Sequence, residues 1–247
     1  MSRNFDLMQE MERAQAFRSN RRPDPVLPVP GEKADRHNRR LNDESTRRLV
    51  QQIFLQQRQE SPRMVVFAGI DHGNGCSQIS TSVSEILAGN APGAVCLVEA
   101  NFRSPALPAI LGSTNFHGLT DALLEEGPIR SFIEPVCDHR FWLLSSGPVA
   151  ADSPNLLSSE RMKARSEELR REFDFVIVDA PPMTQYADAI ALGQLSDGVV
   201  LVLEAESTRQ EAALMAVENL RSSKIPILGA VLNKRTFPIP EGLYKRL

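Results

Sequence analysis

With 247 residues, 42% of them apolar, the chain can bury one sizeable core and leave irregular flanking sequence. A formal charge of -3 excludes the basic excess that draws a protein to a nucleic-acid backbone or an anionic membrane. No apolar run reaches the roughly 18 to 20 residues that span a bilayer, and Cys76, Cys96 and Cys137 are odd in number and lack the paired short spacings of a zinc site.

From Met1 to Asn42 the sequence is polar and charged. It has no apolar signal core before Arg22, and Pro23, Pro25, Pro28 and Pro30 are too dense for a helix interior. A short amphipathic helix and then an extended linker is the most this stretch predicts. Residues 1–42 are therefore expected to be a flexible segment and linker, 43–235 the folded domain and 236–247 a short tail. Cysteine usage fits a reducing cytoplasm, and any membrane association would come through a partner.

Between Asp43 and Gln59, Leu49, Ile53 and Phe54 fall at helical spacing among arginines and glutamines, which predicts a helix packed by one stripe. Short apolar runs follow at Met64 to Ala68, Ala94 to Val98, Phe141 to Leu144, Phe175 to Val178, Val199 to Leu203 and Ile227 to Leu232. Most lack polar alternation, so both faces of their sheet should be covered. Segments of helical length, Ser77 to Ala88, Asn155 to Arg171 and Thr208 to Ser222, lie between them. The pattern predicts an α/β fold, a mostly parallel sheet with helices on both faces.

The first strand runs into Gly69-Ile70-Asp71-His72-Gly73-Asn74-Gly75-Cys76-Ser77-Gln78, and a helix should start near Ser77. Gly73 and Gly75 let backbone N–H groups turn inward, and the helix N-terminus adds partial positive charge, so a polyanion fits there. A Walker A loop wants lysine where Cys76 stands, so the cradle lacks its ammonium. Two other readings remain: the glycines only shape a tight turn, or Cys76 is a thiolate activated by those N–H groups.

Strand Phe175 to Val178 leads into Asp179 at the ligand-binding edge of such a sheet. With the Ser77 hydroxyl it could hold Mg²⁺ through hard oxygens and water, or it could merely cap a helix or turn. Glu99 and Asn101 follow the second strand two residues apart, and would project to one side if the strand continued.

These strand ends, together with Gly118-Leu119-Thr120-Asp121, Ser146-Gly147-Pro148, Asn155 to Met162, Phe173 to Pro182, Asp188-Ala189, Ser196 to Val199 and Gly229 to Asn233, resemble the cytoplasmic kinase domain of bacterial tyrosine kinases of capsule and exopolysaccharide synthesis, relatives of the ParA and MinD ATPases. The likeness runs from Glu44 to Arg235 and implies that 43–235 is a P-loop kinase-like domain. It implies nucleotide contacts for Gly73, Asn74, Gly75, Cys76, Ser77 and Gln78, a metal-binding role for Ser77 and for Asp179 as the Walker B acid, and a place near the adenine for Asn233. Glu99 and Asn101 stand where the family has two aspartates implied in metal binding and in activating the attacking tyrosine hydroxyl. Arg103 and Pro105 keep the pattern of that segment.

The family's tail carries a tyrosine cluster, and this one offers only Tyr244, with Tyr186 inside the domain. Glu44 to Leu49 resembles part of a segment through which family subunits pack into a ring, with Val50 in place of its second arginine. A homo-oligomer or an ordinary solvated helix face are both open.

Phosphoryl transfer rests on positioning and on stabilising phosphate charge, so loss of the loop lysine should cripple it, and Asn101 is a poor proton acceptor. The expectation is a regulatory or scaffold module with weak or no phosphotransfer. It would bind ATP or ADP with Mg²⁺ weakly and meet a membrane polysaccharide co-polymerase or activator. The alternative is an active ATP-dependent tyrosine autokinase controlling polysaccharide chain length and export, with Lys234, Arg103 or a neighbouring subunit supplying the cation. A ParA-like ATPase is a further alternative.

Overall fold

The apolar runs assemble, in the computed structural model, into one seven-stranded sheet. The chain divides into two units, Met1–Asn42 and Asp43–Leu247. The structure describes residues 44–55, 61–137, 140–148 and 156–235, so the expectations for the first 42 residues and for the tail with Tyr244 lie outside the described residues.

The strands are β1 (Met64–Gly69), β2 (Val95–Glu99), β3 (Glu134–Cys137), β4 (Phe141–Leu144), β5 (Phe175–Ala180), β6 (Gly198–Glu204) and β7 (Ile227–Asn233). Their order is β3-β4-β2-β5-β1-β6-β7. Every pairing is parallel except β3 with β4. Parallel pairing needs crossovers, and the helices supply them.

Helix α1 covers 44–50 and continues as a π turn over Gln51–Leu55. After it come α2 (Cys76–Asn90), α3 (Leu107–Leu111), α4 (Leu119–Leu124), α5 (Glu160–Glu172), α6 (Asp188–Gln194) and α7 (Gln210–Ser222). Successive β1 residues point to opposite faces. Met64, Val66 and Ala68 join Met162 and Leu169 of α5, Leu192 of α6 and Leu220 of α7 in one core. Val65 and Phe67 join Val83 and Leu87 of α2 and Ile53 and Phe54 after α1 in the other.

Several short elements were not anticipated, among them a 3-10 turn at Ile129–Phe132. The short helices α3, α4 and α6 span too few turns to register a helical period. Strand β3 contains Pro135, which an edge strand tolerates because its missing N–H can face outward. One expectation needs correction: Val50, read only as a missing arginine, is 1% exposed and anchors α1 more fully than half-buried Leu49. Helix α5 starts at Glu160, where Ser159 caps it with an oxygen that accepts the Met162 N–H at 3.2 Å, and Asn155 lies outside the described residues.

Candidate functional site

Parallel strands bring their carboxyl ends to one edge, and β1, β5 and β2 end side by side there, with Phe67 opposite Asp179 and Asp179 opposite Glu99. The loop after β1 curls as its glycines require. Gly73 and Gly75 both have φ of 83°, and Gly75 caps α2 in the left-handed region. A Cβ on Gly75 would also run into the Asn233 amide. Inside the loop the Asp71 N–H donates to Asn74 Oδ1 at 2.7 Å, and Thr184 Oγ1 ties down the Ile70 carbonyl at 2.9 Å.

A cavity of about 540 Å³ opens over the loop, a size that suits a small-molecule ligand. Gly73, Asn74, Gly75, Cys76, Ser77 and Gln78 all line it, as do Asp71, His72, Asn101 and Lys234. Lys234 is the one lysine or arginine among the described lining residues.

Asp179 lies next to the loop, 1% exposed, and its Oδ2 accepts the Ser77 hydroxyl at 2.5 Å. Its Oδ1 is buried without a hydrogen-bond partner. Burial pushes the carboxyl up to about 7; the Ser77 hydroxyl and the Cys76 thiol pull it back, and the Glu99 charge adds to the rise. Burial and that same carboxylate hold the Cys76 thiol well above its ordinary value. The activated-thiolate reading of Cys76 is thereby corrected: the thiol stays protonated beside Asp179.

Glu99 and Asn101 do not share a side, because β2 stops at Glu99. The buried Glu99 carboxylate faces the start of α3, accepting N–H groups from Ala106 at 2.5 Å and Leu107 at 2.8 Å and, more distantly, Ser146 at 3.4 Å. Burial raises its pKa, against the pull of those amides. Asn101 lines the cavity and its Oδ1 accepts the Ser104 N–H at 3.3 Å.

Arg103 is engaged elsewhere, 2.7 Å from Asp188 Oδ2 and stacked 3.8 Å over the Tyr186 ring. Asn233 Nδ2 donates to the Asn74 carbonyl at 2.9 Å, and Lys234 Nζ donates to the Gly73 carbonyl at 2.7 Å and to Glu204 Oε2 at 3.1 Å. Sequence reasoning missed the Cys76–Asp179 contact and the Lys234–Gly73 bond. Each joins segments more than a hundred residues apart with no local signal.

The donor set fits Mg²⁺. Ser77 Oγ and Asp179 are hard oxygen donors side by side, and Oδ1 is a buried acceptor still without a partner. Among the described residues no cluster of three or more histidine, cysteine or acidic side chains offers another metal site, and no helix is long and apolar enough to cross a membrane.

No family model matches the chain. Tyrosine-protein kinase YwqD of Bacillus subtilis is 31% identical over 193 residues, covering 78% of this chain and 81% of that protein. Among solved structures, the chimerical protein CapA2B2 superposes with a TM-score of 0.74 at 23% identity, covering 78% of this chain and 85% of that one. A ParA family ATPase from Chlorobium tepidum gives 0.60 at 17% identity, covering 70% and 74%. The last two are likenesses of fold.

Proposed function

The chain belongs to the family of bacterial tyrosine-protein kinases, and from that premise we propose that it is a kinase-like P-loop module of exopolysaccharide or capsule biosynthesis, binding nucleotide weakly and transferring phosphate little or not at all. One observation carries the reading: the loop position that should aim an ammonium at the phosphates holds Cys76, a neutral thiol turned to a buried carboxylate. A transferring phosphoryl group gathers charge that a fixed cation must meet.

The cations named as substitutes are badly placed for this work. Arg103 is held by Asp188 and Tyr186. Lys234 is bonded to the Gly73 carbonyl of the loop and to Glu204. Its charge is therefore taken up by the Gly73 carbonyl and the Glu204 carboxylate. Glu99 is spent on backbone amides and Asn101 is uncharged, so neither suits general-base work.

Bound Mg²⁺ would neutralise phosphate charge, and Ser77 and Asp179 are the residues that would hold it. The module would work in the cytoplasm and meet the membrane through a polysaccharide co-polymerase or activator. Copies of the chain could pack through α1, whose Glu44, Arg47 and Arg48 point outward.

Purified protein incubated with Mg-ATP tests the proposal through phosphate release and phosphotyrosine on Tyr186 and Tyr244. Neither should exceed the level of an Asp179→Ala variant. Turnover that Asp179→Ala abolishes would make the chain an active autokinase, with its cation brought by a neighbouring subunit.

A further inference from the structure

The end of β7 holds the loop after β1 with two consecutive side chains on two consecutive loop carbonyls. Asn233 Nδ2 reaches the Asn74 oxygen at 2.9 Å and Lys234 Nζ the Gly73 oxygen at 2.7 Å. Lys234 adopts φ of 55°, a left-handed conformation that a non-glycine residue keeps only when its surroundings fix it. Its tip is fixed a second time by Glu204 Oε2 at 3.1 Å. With its ammonium bonded at both points, this half-exposed lysine lies in the lining of the cavity.

The cavity is therefore asymmetric. On the side of Lys234 it offers the methylenes of that lysine arm, against which a flat nucleobase can lie. At the start of α2 it offers backbone N–H groups, the neutral Cys76 and no lysine or arginine, with Asp71 in the lining and Asp179 behind it.

We propose that this is a nucleotide site anchored at the base by the tethered Lys234 arm and indifferent to the third phosphate, so that it takes a nucleoside diphosphate at least as tightly as the triphosphate. The inference rests on the nucleotide-binding reading above. A terminal phosphate adds negative charge where no fixed cation waits and the Asp71 carboxylate lies in the lining. The diphosphate can use the same loop amides and the same base wall without that repulsion.

Calorimetric titration of the full chain with ADP and with ATP, in buffer containing a chelator, tests it. The wild-type protein should bind ADP ~3-fold more tightly than ATP, the size of a like-charge repulsion screened by water. Lys234→Ala should weaken both nucleotides alike by roughly five- to tenfold, the effect of losing about 50 Å² of apolar contact. Lys234→Met keeps the arm without the charge, and should stay within about twofold of wild type if the arm is what matters. Cys76→Lys should invert the preference and favour ATP by about tenfold, as a restored charge-assisted bond would.

Failure of the wild type to bind either nucleotide would sink the nucleotide-binding reading together with this one. Binding with ATP preferred tenfold, or unchanged by Lys234→Ala, or lost equally in Lys234→Met, would overturn only the base-anchored site. Circular dichroism and melting of each variant confirm that the altered affinities come from folded protein.

Discussion

Replacing Asp179 by asparagine should make the protein more stable, and increasingly so as the pH rises. The carboxyl is 1% exposed, one of its oxygens has no partner, and burial lifts it to about 7 from an ordinary 3.8. A carboxyl whose folded value is raised favours the folded state while it is protonated in both states. That advantage is lost as pH climbs from the unfolded value through the folded one. Across pH 5 to 8 the linkage amounts to ~2.5 kcal/mol, which the asparagine does not suffer because it never ionises. Asparagine has the same shape and can still accept the Ser77 hydroxyl through its amide oxygen. Urea denaturation of both proteins at pH 5 and pH 8, with a chelator present, measures the difference. The gap between variant and wild type should widen by about that much at the higher pH. Added Mg²⁺ at pH 8 should then stabilise the wild type and leave Asp179→Asn unmoved. A stability gap that does not change with pH would refute the argument that Asp179 is an uncompensated buried acid.

Two further outcomes follow from the geometry. Glu99→Ala strands the Ala106 and Leu107 N–H groups at the start of α3, and should lower unfolding free energy by about 3 kcal/mol in chemical denaturation while nucleotide affinity changes little. Affinity lost with stability intact would instead return Glu99 to the ligand. Asp197→Ala removes the acceptor of the Arg63 and Met64 N–H groups and the partner of Arg170, which should cost ~2 kcal/mol at neutral pH. These hydrogen bonds outweigh burial and hold Asp197 below its ordinary value, so the loss should shrink as pH falls through the carboxylate range, as melts between neutral and acid pH would register.

Strands β1, β2, β4, β5, β6 and β7 were legible in the sequence, because a strand buried on both faces writes itself as an unbroken apolar run. So was the phosphate loop, since Gly73 and Gly75 stand where only glycine takes the left-handed turn without strain. Absence of lysine at Cys76 was equally plain, being a matter of one residue at one position. All of these are local signals, carried by neighbours along the chain.

What the tertiary structure alone decided is which atoms meet. Register between β2, β5 and β1 sets Asp179 beside the loop, where it shares the Cys76 thiol and the Ser77 hydroxyl and holds its proton toward neutrality. The end of β2 at Glu99 turns that carboxylate to α3 and leaves Asn101 facing the cavity, a division that strand alternation could not foretell. Lys234 could be counted as a cation from its letter, yet only its bonds to the Gly73 carbonyl and Glu204 fix where the charge lies. Residue type sets what a side chain can do; electrostatics falls off over a few ångströms, so the fold's distances set whether it does it.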